Sequence, residues 1–169
     1  RRALEDDGLF LGVCFGGETL TELRSALAEA EIGEMGGLSP RIAPMAEVRQ
    51  IGALLQRAGL ALPVADVVPQ TVSYTDIFAL MRDLRAMGET NALIERHRKP
   101  PRRTLFARAD AIYRANFPHG DDRIRATFDL IFLTGWAPHE SQPKPLRPGS
   151  AKARLADALN ATHVHDETE

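Results

Sequence analysis

Three apolar runs read as strands. Leu9 to Phe15 (LFLGVCF) is almost continuously hydrophobic and is bounded by Gly8 and by Gly16-Gly17. Such a run suits a strand covered on both faces, as in a parallel sheet. From Leu62 to Tyr74, the residues Val64, Val68 and Val72 share one parity, while Pro69 on the other points to a sheet edge or a bulge. Ile124 to Trp136 carries the strongest signal. Ile124, Ala126, Phe128, Leu130, Phe132 and Trp136 share one parity, and Ile131 and Leu133 make its second half apolar on both faces.

The stretches between them repeat at helical spacing. Leu20, Leu23, Leu27 and Ala30 define one face, with Glu22, Arg24 and Glu29 placed on the surface. Thr19-Leu20-Thr21-Glu22 has the form of a capping box, and Gly33 is the predicted stop. A second helix is predicted from about Met45 to Ala58, with Val48, Ile51 and Leu55 inward and Gly59 ending it. Thr75-Asp76 caps a third, carrying Ile77, Leu80, Met81, Leu84 and Met87. Pro100-Pro101 separates it from a fourth, Thr104 to Asn116. Arg1 to Asp7 reads as a helix end closed by Gly8, and residues 33–44 (GEMGGLSPRIAP) have a loop composition. The tail from Pro138 is expected to be extended, with a short helix from Ser150 to Leu159 and disorder from His163 to Glu169.

The order of strand, two helices, strand, two helices, strand predicts an α/β layer. Its first strand reads as central, and a central strand needs neighbours on both sides, because buried unpaired backbone groups cost free energy. The later strands supply only one side. Together with an opening Arg1-Arg2-Ala3-Leu4 that lacks an initiator Met, this leads to the expectation that the chain starts inside a longer protein. An exposed strand edge would then favour a homodimer or a domain swap.

Composition adds exclusions. The chain has 169 residues, 44% hydrophobic and 26% charged, as expected for one globular domain. Lys plus Arg is 21 against Asp plus Glu 23, so no global field argues for nucleic acid. No apolar stretch approaches the ~20 residues of a membrane span, and no targeting segment is visible. Cys14 has no internal partner for a disulfide, which points to a reducing, cytoplasmic setting, and its place in mid-strand suits core packing better than nucleophilic chemistry.

Five strings carry a resemblance: FGGETLTELR, GGLSPRIAP, IGALLQRAG, FALMRDLRAMGETNAL and GWAPHESQPKPLRPGSA. In this order, up to about residue 151, the chain resembles the methyltransferase-like mitochondrial complex I assembly factor family and its bacterial relatives. More distantly, it is similar to the biotin-pathway methyltransferase acting on a carrier-protein-bound acid. The resemblance implies the C-terminal half of a doubly wound, Rossmann-like class I methyltransferase fold. Leu9–Phe15 would be its fifth strand, Leu62–Tyr74 its sixth, and Ile124–Trp136 its seventh, running antiparallel between the other two. Residues 75–117 would be a helical insertion in a domain covering 1–137, and 138–169 a Pro-rich tail. S-adenosylmethionine would be the cofactor of the whole protein, and a protein or carrier protein its substrate. The family's glycine-rich loop and ribose carboxylate have no counterpart here, so these residues alone are expected to bind no cofactor. The chemistry stays open between methyl transfer, arginine hydroxylation and a purely scaffolding role.

Candidate pocket residues are few. Phe15, Gly16, Gly17 and Glu18 end a strand at the edge where open α/β sheets bind ligands, although a plain strand-to-helix turn explains them better. Arg41 in the ordered loop could reach the same edge. Glu89 and Asn91 follow a helix break at Gly88 and could face a substrate, or could simply cap a helix end. His139-Glu140 could serve acid–base chemistry, but a local turn is the better account. The basic run Arg96, Arg98, Lys99, Arg102 and Arg103 could dock an acidic partner, and no interleaved aromatics support nucleic acid. His163-x-His165 alone is too weak a pattern for a metal site.

Overall fold

A computed structural model describes residues 2–143. The chain divides into two compact units, Arg1–Pro138 and His139–Glu169, and every element below belongs to the first. The order is β1 (Leu9–Phe15), α1 (Thr21–Met35), α2 (Val48–Arg57), β2 (Ala61–Tyr74), α3 (Ile77–Ala86), α4 (Arg103–Asn116) and β3 (Ile124–Trp136). The expected tail helix and the histidine pair beyond it lie outside the described residues.

The three strands form one sheet in the order β1-β3-β2, with β3 antiparallel to both neighbours. This is the α/β class and the strand arrangement that the resemblance implies for the three segments. β3 lies in the middle of the sheet and packs helices on both faces along part of its length, which explains its doubly apolar sequence. Ile124, Ala126 and Phe128 pack with Leu20, Leu23 and Leu27 of the α1 region, Ile77, Leu80 and Leu84 of α3, and Leu105, Ala109 and Tyr113 of α4. On the opposite face, Ile131 and Leu133 pack with Ile51 and Leu55 of α2 and with Leu60. Pro69 is accommodated because β2 is an edge strand, and the irregular register falls between Ala61 and Val64.

Several expectations need correction. Among the described residues Leu9–Phe15 pairs with β3 alone, which leaves the exposed edge expected of it, but its faces differ from expectation. It is not covered on both faces: Leu9, Leu11 and Val13 are 51%, 69% and 58% exposed. By pairing register, Phe132 and Val64 share that face and are also exposed, so half of one sheet face presents apolar side chains. Residues 2–7 form turns, not a helix. α1 passes through Gly33 and ends at Gly36, whose φ of 65° and N–H bond to the Ile32 carbonyl make the stop. Glu22 is not on the surface but 2% exposed.

Candidate functional site

The turn joining β1 to α1 is fastened to β3. The Gly16 N–H donates to the Asp129 carbonyl at 2.7 Å, and the Glu18 N–H donates to Asp129 Oδ2 at 3.2 Å. Thr19 Oγ1 accepts from the Asp129 N–H at 3.0 Å and lies 3.3 Å from the Asp129 carbonyl. Glu22 accepts from the Thr127 N–H and hydroxyl at 3.1 and 2.5 Å, with Arg125 Nε 3.6 Å away. These bonds replace the predicted capping box. The N-cap is Leu20, with φ 58°, because Thr19 and Glu22 are engaged by a strand more than 100 residues downstream.

The glycines of this turn are explained by packing. A Cβ on Gly16 would lie 2.9 Å from Ile131 Cγ1, and one on Gly17 would lie 2.5 Å from Glu47 Oε1. Phe15 stacks at 5.8 Å on Phe128. Phe15, Gly16, Gly17 and Glu18 therefore form a structural corner, and none of them lines the main cavity.

That cavity, about 530 Å³, lies between α1, α3 and two irregular segments, residues 41–45 and 89–93. Its size falls in the ~300–1,000 Å³ range of small-molecule pockets. Leu23, Leu27, Ile42, Met81, Leu84 and Phe106 supply apolar wall, and Arg41, Arg85, Glu89 and Asn91 supply polar groups. Three residues singled out from sequence, Arg41, Glu89 and Asn91, thus meet on one cavity although about 50 residues separate the first from the others. Asn91 Nδ2 donates to the Pro40 carbonyl at 2.9 Å, which ties the second irregular segment to the residue preceding the first.

Arg41 is positioned from behind by Glu31, a residue that sequence reading passed over. Glu31 is fully buried, accepts from the Ser39 N–H (2.9 Å) and hydroxyl (2.6 Å), and pairs with Arg41 Nη2 at 2.7 Å. Burial by itself would raise its pKa. The Ser39 bonds and the Arg41 guanidinium outweigh that, and hold the carboxyl below its ordinary 4.5. Glu31 is a helical carboxylate beside Ala30 and Leu27 on the apolar stripe, and that placement was the only signal available for it.

Among the described residues, no group of three potential ligands is placed to hold a metal ion. No described helix is long and apolar enough to cross a membrane. Within the second unit, His139 Nδ1 pairs with the Ser141 hydroxyl at 2.8 Å, a local turn. Cys14 packs beside Ile131 and Leu133.

No protein-family model matches the chain. Curated relatives do. It is 43% identical over 93% of its length to the mitochondrial arginine-hydroxylase NDUFAF5 of Dictyostelium discoideum, covering 36% of that protein. The Homo sapiens NDUFAF5 is 42% identical over 91% of the chain, which covers 44% of it. The malonyl-[acyl-carrier protein] O-methyltransferase of Xylella fastidiosa is 38% identical over 82% of the chain, again covering 44%. The chain therefore spans less than half the length of these three proteins. It is a homologue of the methyltransferase-like proteins to which the NDUFAF5 arginine-hydroxylases and the malonyl-carrier O-methyltransferases belong.

Proposed function

We propose that these residues belong to an S-adenosylmethionine-dependent, methyltransferase-type protein that modifies a protein substrate during respiratory complex I assembly. The carrying observation is that identity to the NDUFAF5 arginine-hydroxylases reaches 43% over 93% of the chain, against 38% over 82% for a malonyl-carrier methyltransferase. In this reading β1, β2 and β3 are the fifth, sixth and seventh strands of a doubly wound sheet, and residues 75–117 are a helical insertion. The cavity holding Arg41, Glu89 and Asn91 lies on the acceptor side, S-adenosylmethionine binds residues elsewhere in the whole protein, and the setting is cytoplasmic. The side of β1 away from β3, unpaired among the described residues, supports self-association through that edge, which light scattering of the chain over a concentration series reads as a dimer mass.

The test uses the whole protein. Calorimetry with S-adenosylmethionine is expected to show saturable binding, and mass spectrometry to show oxygen gain on a complex I subunit arginine. Methylation of a malonyl-carrier protein without arginine modification would select the carboxyl methyltransferase instead. Absence of cofactor binding at millimolar concentration would select a scaffold.

A further inference from the structure

A second, smaller cavity of about 170 Å³ lies beside the first, between α1 and residues 38–42. Arg24, Leu27, Ala28 and Glu31 line it from the helix, at the i, i+3, i+4, i+7 spacing of one face, and Ser39 and Arg41 close it from the loop. Two buried side-chain nitrogens lack any hydrogen-bond partner among the described residues, Arg24 Nη2 and Arg41 Nε. Both belong to residues lining this one cavity. Elsewhere the buried polar groups of α1 and of the turn before it are closely matched, with Thr19, Glu22 and Glu31 each taking two or more bonds. A buried N–H with no acceptor costs free energy, and two residues that line one cavity and each keep such a group mark a place for an acceptor.

The charge points the same way. Two guanidiniums line the cavity with one carboxylate, Glu31, and that carboxylate is already held by Arg41 Nη2 and by both Ser39 donors. The balance is one positive charge, with Leu27, Leu38 and Ile42 around it lowering the local dielectric. Guanidinium forks match the planar or tetrahedral oxygens of carboxylate and phosphate groups.

We infer that the cavity between Arg24 and Arg41 binds an oxyanion group, borne by a carboxylate or a phosphate ligand. Arg41 also lines the larger apolar cavity, so the anion sits next to a chamber able to take an apolar body. The inference does not depend on which group the whole protein transfers.

The side-chain N–H resonances of the ¹⁵N-arginine-labelled full chain report on it directly. Inorganic phosphate and acetate are titrated separately, with chloride holding ionic strength constant. At least one is expected to shift the Arg41 Nε–H and Arg24 signals along a saturable curve. Phosphate alone would identify a phosphate ester as the ligand class, acetate alone a carboxylate, and both an oxyanion of either kind. Arg24→Gln is expected to weaken binding by about tenfold, the loss of one charge-assisted bond. Arg41→Lys keeps the charge opposite Glu31 but removes Nε, and a comparable loss is expected. Linear shifts matching those of chloride would overturn the inference, as would unchanged affinity in Arg24→Gln with its amide spectrum intact.

Discussion

Two glycine-containing irregular segments on either side of α1 look alike in sequence and behave oppositely in structure. The turn Phe15–Leu20 and the start of α1 have their Thr19 and Glu22 anchors matched to the backbone or side chains of β3. The segment from Gly36 to Met45 is fixed through Ser39 and Arg41 on Glu31 and through one bond from Asn91, and it borders two cavities and leaves Arg41 Nε unmatched. A saturated polar corner is architecture. A segment with unmet hydrogen-bonding capacity beside a cavity is where a ligand can be recognised.

The contrast can be broken from the saturated side first. Glu22→Ala removes a 2%-exposed carboxylate and strands the Thr127 N–H, so a loss of about 3 kcal/mol is expected, read as a lowered urea midpoint at constant m-value. Glu31→Gln should cost about 2 kcal/mol at pH 7, because the pairing with Arg41 loses its charge. Its pH dependence sharpens the point. The folded Glu31 pKa lies below the ordinary 4.5, so its stabilisation is present above pH 4.5 and disappears as pH falls through the folded value. Urea midpoints of wild type and Glu31→Gln should therefore converge on acidification, and a constant gap down to the lowest pH would contradict the assignment. The smallest effect is expected for Asn91→Ala, under about 1 kcal/mol for an exposed neutral bond. Amide exchange in residues 38–42 should nevertheless accelerate, because that bond ties the two segments.

The strands were legible because their signal is local. LFLGVCF and the alternation from Ile124 to Trp136 require no knowledge of partners, and β1 and β3 span those residues. Asp76 was equally readable, since its carboxylate accepts from Ala79 three residues on, at 2.7 Å. What stayed hidden was long-range. Glu22 has the spacing of a capping residue, yet its partner Thr127 is 105 positions away. Gly33 has the composition of a stop, yet the helix continues because residues 33–35 keep helical bonding until Gly36 turns left-handed. Arg41, Glu89 and Asn91 stand out singly in the sequence, and their convergence on one cavity is a property of the fold. Arg24 reads as an ordinary helix-surface charge, and Glu31 carries little signal of its own, because burial of a charged side chain depends on a loop that folds back over it.

Placing β3 between β1 and β2 has a consequence for assembly of the chain. During synthesis, both outer strands emerge well before the strand that pairs with them among the described residues, and Leu9 meets Trp136, which lies 127 positions further along the chain. Until residues 124–136 have left the ribosome, LFLGVCF lacks its β3 partner. Closing so long a loop is slow, and the nascent protein is a natural client for chaperones that bind short apolar segments.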